Sequence, residues 1–206
     1  MQKKSKIGIY GGTFSPPHNG HLHAADVFLK EIELDRLLII PDYIPPHKEI
    51  ECNNPTARLE MTKLAFSSLP EYEKKVFVDD YEITSGGKSY TADTLQHFFS
   101  SDIELYFLCG TDMFLTIDSW YHPEIICKLS NIVLMRREND PENVNKIYSY
   151  IKFLQDKYDA KVIMLKSPAV DISSSEIRDY IINGRDISHL IPKKVEDYIK
   201  ENKLYI

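Results

Sequence analysis

The sequence predicts a doubly wound α/β fold, in which helices cover both faces of a parallel sheet. Six short apolar segments, rich in β-branched and aromatic residues, are nearly continuous rather than alternating with polar residues. That pattern is typical of parallel strands that are buried on both faces. Helical patterns fall between these segments, which favours the same Rossmann-like architecture. The chain of 206 residues is long enough for one sizeable core, so we expect a single domain over residues 1–206 that ends in a small helical part from about residue 172.

The predicted elements follow one another in a regular order. Strands are expected at residues 6–10, 36–40, 76–78, 103–109, 131–135 and 161–165. Helices are expected at residues 21–32, 56–67, 91–99, 123–128, 142–157, 175–183 and 192–202. Residues 41–56, with four prolines, are predicted to form one long irregular loop, and ordered loops of that length tend to be functional. Residues 80–90 are predicted to form a second surface loop.

Composition and charge argue against several classes of partner. A formal net charge of −6 disfavours non-specific binding to nucleic acids. The first ten residues lack the apolar region and cleavage site of a signal peptide, and no stretch approaches the roughly 18 apolar residues of a membrane span. The three cysteines are far apart in sequence, which favours free thiols in a reducing compartment. We therefore expect a cytoplasmic protein that binds neither nucleic acids nor membranes. The C-terminal helices are a candidate interface for a homo-oligomer, which stays open.

The strand ends indicate where a ligand would bind. In doubly wound sheets, ligands bind beyond the carboxyl ends of the strands, at the point where the strand order reverses. The first predicted strand is followed by Gly11, Gly12 and Thr13. The strand at residues 103–109 is followed by the sequence Gly-Thr-Asp at 110–112. In the usual strand order these two ends are neighbours, so we expect both segments to border the binding crevice.

The stretch GGTFSPPHNGH, residues 11–21, has the features of an anion-binding turn. It is neither of the two commonest phosphate motifs. Asn19 and Gly20 can lead into a helix whose first N–H groups and dipole favour negative charge. His18 and His21 are three residues apart, so their rings can share one face of the first turn. Two alternatives remain: a turn with surface histidines, or a metal pair, although zinc usually needs three or four protein ligands.

A second phosphate signal lies near the other end of the chain, in the stretch DISSSEIRDYI. Ser173 and Glu176 have the spacing of a capping box, with Ser173 as the N-cap. Ser174, Ser175 and Arg178 add hydroxyl groups and a cation at the positive end of the helix, which suits a phosphate group. A well-capped helix with a surface arginine is the alternative. Two such helix starts together favour a polyphosphate ligand.

These motifs resemble those of a known superfamily. GGTFSPPHNGH is similar to the HxGH signature of the nucleotidyltransferases, and ISSSEIR is similar to their C-terminal ISSTxIR motif. Within that superfamily the chain resembles the bacterial nicotinate-nucleotide adenylyltransferases. Further matching pieces are the loop sequence PPHK at residues 45–48, Arg58 with Glu60 and Met61, SYTADTL at residues 89–95, GTD at residues 110–112, and Trp120 with Tyr121. One departure is Ser15, where the family usually has aspartate.

The resemblance implies a reaction, namely transfer of AMP from ATP to nicotinate mononucleotide, which gives deamido-NAD and pyrophosphate. It implies Mg²⁺ that arrives with ATP and no metal ligands from protein side chains. His18, His21 and Arg178 would be the catalytic residues. The implied ATP-binding residues are Gly11, Gly12, Thr13, Phe14, His18, His21, Gly110, Asp112, Arg136, Ile172, Ser173, Ser174, Ser175 and Arg178. The implied mononucleotide-binding residues are Thr13, Lys48, Tyr90, Thr91, Asp112, Trp120 and Tyr121.

Several of these residues have a simpler interpretation. Trp120, the only tryptophan, is also a candidate for core packing, and Asp112 for stabilising a turn. Arg136 at a strand end is equally well a solvated side chain, and Lys48 with His47 can be a solvated loop tip. For the whole chain, two alternatives are a different HxGH adenylyltransferase, such as phosphopantetheine adenylyltransferase, and a nucleotide-binding module without catalysis.

Overall fold

The computed structural model describes residues 4–46, 54–136 and 141–206, without the side chains of 141–143. Six strands occur in the described part of the chain: β1 Ser5–Gly12, β2 Arg36–Pro41, β3 Val76–Val78, β4 Ile103–Gly110, β5 Ser130–Met135 and β6 Lys161–Met164. They form one sheet in the order β3-β2-β1-β4-β5-β6, and every neighbouring pair is parallel. The predicted doubly wound α/β fold is therefore confirmed, and each predicted strand is present.

Helices connect the strands on both sides of the sheet. Their bounds are α1 Asn19–Glu31, α2 Pro55–Phe66, α3 Tyr81–Ser85, α4 Thr91–Phe98, α5 Thr111–Phe114, α6 Pro123–Leu129, α7 Pro141–Tyr158, α8 Ser174–Ile182 and α9 Lys193–Glu201. A 3-10 turn covers Ile117–Ser119. The prediction of an irregular segment at residues 80–90 is wrong in part, because α3 lies within it. Both α3 and α5 are too short to show the 3.6-residue periodicity by which helices are recognised.

The strands have continuous apolar sequences because both faces of the sheet are covered. In β2, Leu37 and Ile39 pack into the core on the side of α1 and α2, whereas Leu38 and Ile40 pack into the core on the opposite side. Successive side chains of a strand point to opposite faces, so a strand between two helical layers has no exposed face to make polar. This burial explains the sequence pattern from which the fold was predicted.

The C-terminal helices pack into the same core as the first helix. Ile177 of α8 and both Val195 and Ile199 of α9 belong to the buried cluster that contains Phe28 of α1. Helix α8 ends at Ile182, and Gly184 follows it with a φ of +64°. The C-terminal helices therefore pack beside the first helix.

The strand order reverses between β1 and β4. From β1 the chain adds β2 and then β3 on one side, and it returns to add β4, β5 and β6 on the other. The carboxyl ends of β1 and β4 are consequently neighbours, as the sequence analysis expects for the ligand crevice. None of the helices in the described part of the chain has the length and apolar content to cross a membrane.

The packing around Gly8 in β1 makes a stability prediction. A Cβ atom at this position would lie 2.5 Å from the Leu34 Cδ1 atom and 2.9 Å from the Phe28 ring, and both side chains are fully buried. We expect Gly8→Ala to lower the free energy of unfolding by about 1–3 kcal/mol, because overpacked cores must distort. Urea unfolding measures the change. Gly11→Ala is the matched control in the same strand, where the Cβ would come no closer than 4.0 Å to another atom. Equal stability of the two variants would contradict the argument.

Candidate active site

The first loop is anchored by the ring of Phe14. This ring is 2% exposed and meets the rings of Tyr10, His21 and Phe66 edge to face, with centroid distances of 5.6, 5.0 and 5.8 Å. Phe14 has a φ of +48°, a left-handed conformation that turns the chain sharply after β1. Its side chain belongs to the core, so only the backbone of Phe14 remains available for the predicted binding of ATP.

His18 and His21 form a stacked pair at the start of α1. The helix begins at Asn19, two residues earlier than predicted, so that His18 is the N-cap residue and His21 lies in the first turn. The ring centroids are 3.6 Å apart, with an interplanar angle of 24°. The backbone N–H of His18 donates to Nδ1 of His21 at 3.1 Å. Because that nitrogen accepts, a neutral His21 carries its proton on Nε2, where it is a donor.

His18 is held in its neutral form. The residue is 5% exposed, and burial lowers the pKa of its imidazole to about 4. Its Nδ1 atom is buried without a hydrogen-bond partner and lies against Gly20, where a Cβ atom would be only 3.0 Å away. The glycine of the HNGH sequence is thus required for this close approach. At neutral pH, His18 can offer a ligand one hydrogen-bond donor without bringing a charge.

The C-terminal motif contacts the loop that precedes the histidines. The Arg178 Nη1 atom donates to the Ser15 carbonyl at 2.7 Å, and its Nη2 atom donates to Ser175 Oγ at 3.2 Å. The Ser174 hydroxyl donates to the Pro16 carbonyl at 2.9 Å. The structure therefore brings together the two helix starts that the sequence singled out. Arg178 uses part of its guanidinium to join them.

Ser173 caps α8 as predicted. Its hydroxyl oxygen accepts from the Glu176 backbone N–H at 3.1 Å. The Glu176 carboxylate accepts from the Tyr180 hydroxyl at 3.3 Å, so only the Ser173 half of the predicted capping box is seen. The hydroxyl of Ser15, the residue that departs from the resemblance, lies 3.1 Å from the Tyr205 hydroxyl in a buried contact.

A cleft of about 670 Å³ lies at the carboxyl ends of β1 and β4. Eight predicted site residues line it: Gly11, Gly12, Thr13, Tyr90, Thr91, Gly110, Asp112 and Trp120. The loop from Thr13 to Pro17 joins this cleft to the two histidines and Arg178. His18, His21 and Arg178 are not among the residues that line the cleft, so this loop is what connects the two predicted parts of the site.

Trp120 forms part of the cleft wall rather than the interior of the core. Its indole N–H donates to the Thr116 hydroxyl at 3.0 Å, and the ring meets Phe107 at a centroid distance of 6.1 Å. The exposed ring of Tyr121 lies 4.4 Å from the Tyr90 ring. These aromatic contacts connect the segment after α5 with the turn that begins α4.

Other predicted site residues lie elsewhere or outside the described residues. Arg136 is partly buried just after β5, and its carbonyl accepts from the Ala169 N–H at 2.6 Å. Ile172 is partly buried before α8 and packs against the core. Lys48, a predicted mononucleotide-binding residue, and His47 beside it lie outside the described residues. Cys109 and Cys127 are free and buried, whereas Cys52 lies outside the described residues.

The sequence analysis missed a buried ion pair behind the first loop. Arg58 of α2 is 1% exposed, and its Nη1 atom donates to the Asp42 carboxylate at 2.8 Å and to the Thr13 carbonyl at 2.9 Å. Its Nη2 atom donates to the Tyr43 carbonyl at 2.9 Å. The Thr13 hydroxyl donates its only hydrogen to Asp42 at 2.7 Å. The donor that Thr13 can offer to a ligand is therefore its backbone N–H.

The Arg58 ion pair is not visible in the sequence as such. Arg58 belongs to one of the pieces that carry the family resemblance, but no pattern in the chain shows that its guanidinium is buried. A second missed residue, Glu82 of α3, also lines the cleft. Its carboxyl group accepts from the Thr94 hydroxyl at 2.5 Å, and burial raises its pKa to about 7.

Two helix starts beside a cleft at the reversal point of a parallel sheet are features of a nucleotide-binding α/β protein. A model of the family described as cytidylyltransferase-like matches residues 9–204, which is nearly the whole chain. Among solved structures, *Plasmodium falciparum* nicotinic acid mononucleotide adenylyltransferase complexed with NaAD is similar, with a TM-score of 0.79 and 23% identity. The match covers 98% of this chain and 97% of that chain, and it shows that the two share a fold.

Curated relatives extend over the same length. A probable nicotinate-nucleotide adenylyltransferase of *Clostridium tetani* is 38% identical over 208 residues, which is 100% of both chains. A protein of the same name from *Caldicellulosiruptor saccharolyticus* is 36% identical and covers 97% of this chain and 98% of its own. The chain belongs to the cytidylyltransferase-like family, and these two relatives are named as probable nicotinate-nucleotide adenylyltransferases. The resemblance inferred from the motifs is confirmed.

The Arg58 ion pair leads to a stability prediction. We expect Arg58→Met to lower the free energy of unfolding by about 3–5 kcal/mol, because it leaves the Asp42 carboxylate buried without its cation. Adding Asp42→Asn should recover part of the lost free energy of unfolding, because the buried carboxylate charge is then removed. Chemical denaturation of the single and double variants measures both effects.

The control for this prediction is Lys63→Met on the same helix. Lys63 pairs with Glu60 at 2.9 Å, but both side chains are more than 40% exposed, so we expect a change within about 1 kcal/mol. If Arg58→Met destabilises the protein no more than Lys63→Met, the ion pair does not have the structural importance assigned to it.

Proposed function

We propose that the protein transfers AMP from ATP to nicotinate mononucleotide, giving deamido-NAD and pyrophosphate in NAD biosynthesis. The single observation that carries this proposal is the contact between the two predicted phosphate motifs. Arg178 and Ser174 of α8 donate to the carbonyl groups of Ser15 and Pro16, directly before the His18–His21 pair. The names of the full-length relatives support the choice of this reaction over that of another adenylyltransferase.

The chemistry requires no covalent enzyme intermediate. The 5′-phosphate oxygen of the mononucleotide attacks the α-phosphorus of ATP, and the bond from that phosphorus to the bridging oxygen of the β-phosphate breaks. Pyrophosphate leaves with the electron pair of that bond. The protein contributes by positioning the two reactants in line and by neutralising charge on the phosphoryl oxygens. No serine or cysteine nucleophile is needed.

The site residues divide this work between them. The imidazoles of His18 and His21 donate to the α- and β-phosphate oxygens. The first N–H groups of α1 and the backbone near Gly12 add donors, since the start of a helix favours anions. Arg178 and the serines at the start of α8 bind the outer phosphates. Because His18 is neutral, its contribution is a directed hydrogen bond rather than a charge.

ATP enters as its Mg²⁺ complex. Mg²⁺ retains several water ligands and is commonly bound through substrate phosphates, so the proposed metal is part of the substrate rather than a resident of the protein. The carboxylate of Asp112 lines the cleft and is the proposed partner of ribose hydroxyls. A cytoplasmic location and a homo-oligomer remain predictions from the sequence.

The pyridine end of the mononucleotide is assigned to the aromatic part of the cleft. The Trp120 indole stacks on the pyridine ring, and backbone N–H groups near Thr91 and Tyr121 bind its carboxylate. Thr91 begins α4, and the first N–H groups of a helix have no acceptor within the helix. A site with such donors discriminates against the amide, because they would remain unsatisfied.

The histidine pair gives the first functional prediction. We expect His18→Ala and His21→Ala each to lower kcat by about 10²–10³-fold, which corresponds to the loss of one preorganised donor in the transition state. Pyrophosphate release from ATP, dependent on nicotinate mononucleotide, is the measurement, with circular dichroism to confirm folding. His23→Ala is the matched control, because the His23 ring bonds to the Pro168 carbonyl at 2.9 Å in the same helix. A folded variant of either stacked histidine with normal turnover would remove that residue from the mechanism.

The preference for the acid over the amide form of the mononucleotide gives the second functional prediction. We expect kcat/KM for nicotinate mononucleotide to exceed that for nicotinamide mononucleotide by at least about 10²-fold, since unpaired buried donors are costly. Initial rates with the two substrates at equal ATP concentration measure the ratio. Equal values would contradict the assignment of the carboxylate site, while leaving adenylyl transfer itself established.

A further inference from the structure

The cleft contains a carboxyl group that the proposed reaction does not use. Glu82 of α3 lines the cleft together with Tyr90 and Thr91. The Thr94 hydroxyl donates to its Oε1 atom at 2.5 Å, and the Ser89 side chain also hydrogen-bonds to it. Glu82 therefore contacts residues on both sides of the turn at Tyr90 and Thr91, where α4 begins.

Ser89 connects this carboxyl group to a second segment of the cleft. The Ser89 hydroxyl oxygen accepts from the Tyr43 backbone N–H at 2.8 Å, and the Ser89 N–H donates to the Ile44 carbonyl at 2.9 Å. A hydroxyl oxygen has two lone pairs, so a neutral Glu82 can reverse one bond and donate its O–H to Ser89. The turn that precedes α4 is consistent with either protonation state of Glu82.

The surroundings of Glu82 disfavour its ionisation. Burial is the main cause that raises the pKa of its carboxyl group to about 7, and the nearby Asp42 carboxylate acts in the same direction. The bonds from Thr94 and Ser89 act to lower this pKa, as does the charge of Arg58. Arg58 is already paired with Asp42 at 2.8 Å, which limits the compensation that it offers to Glu82. Among the described residues, the cation that acts on Glu82 is therefore one that Asp42 already binds.

We propose that Glu82 is a positioning and specificity residue, which in its neutral form supports the Ser89–Thr91 turn for a carboxylate-bearing substrate and in its ionised form repels that substrate. This inference rests on the proposed function, because it takes the pyridine carboxylate to bind at the start of α4. The acid mononucleotide then binds best below neutral pH, and its affinity falls as Glu82 loses its proton. ATP binds at a different part of the site and does not follow this change.

The test compares wild type with Glu82→Gln at pH 6 and pH 8.5. We expect the wild-type KM for nicotinate mononucleotide to rise by about 5-fold or more over this range, since two like charges in a cleft repel. Glutamine keeps the size of the side chain and the acceptor for Thr94 but has no charge. The KM of Glu82→Gln should therefore change little between the two pH values. Titration of the substrate's own phosphate affects both proteins equally, so it cancels in the ratio of the wild-type KM to the KM of Glu82→Gln. The KM for ATP should have the same pH profile in both.

Binding provides a readout that does not depend on turnover. Trp120 is the only tryptophan and lies in the cleft wall, so its fluorescence reports mononucleotide binding without ATP. Thr94→Val is a second variant that removes one donor to Glu82, and it should move the loss of affinity to higher pH. Glu60→Gln, an exposed glutamate on α2, is the control for loss of a charge.

The outcomes separate the two proposals. If wild type and Glu82→Gln have parallel pH profiles in KM and in binding, while wild type releases pyrophosphate, the inference about Glu82 is wrong and the proposed function stands. If wild type releases no pyrophosphate from ATP and nicotinate mononucleotide at any pH, the proposed function fails and the inference fails with it. The inference is supported if the KM for the mononucleotide changes little with pH in Glu82→Gln and if its rise occurs at higher pH in Thr94→Val than in wild type.

Discussion

The guanidinium group of Arg58 is buried and joins two segments, one after β1 and one after β2, and the shape of the cleft depends on it. It bonds to the carbonyls of Thr13 and Tyr43 and to the carboxylate of Asp42. The Asp42 carboxylate in turn accepts from the Thr13 hydroxyl. Arginine suits this position because its planar group offers several donors in fixed directions. The loop after β1 and the segment after β2 therefore form one rigid border of the site.

A second contact sets the other border. Arg178 and Ser174 of α8 bind the carbonyls of Ser15 and Pro16, so the C-terminal helix fixes the loop from which the histidines project. The stacked rings of His18 and His21 then lie close to two helix N-termini, and burial keeps the His18 imidazole neutral. A polyphosphate in such a site meets directed hydrogen bonds that require no reorganisation during the reaction, which is an effective way to stabilise developing charge.

Between these borders, the cleft keeps its acidic groups from opposing an acidic substrate. Asp42 is neutralised by Arg58, and its second oxygen accepts from Thr13. Among the described residues, Glu82 is bonded to hydroxyl groups rather than to a cation, and burial raises its pKa to about 7. The protein as a whole carries a net charge of −6, so anion binding depends on local donors and on the protonation of this one carboxyl group rather than on the overall charge.

The sequence by itself determined the six strands, the parallel order and the motifs on α1 and α8, because apolar runs and capping residues are local signals. It also determined where the ligand crevice lies, since the carboxyl ends of neighbouring strands are fixed by the fold class. Only the tertiary structure decided that Phe14 belongs to the core, that Arg58 is buried with Asp42, and that Glu82 lines the cleft. These properties depend on burial and on contacts between residues distant in sequence, and no local pattern records either.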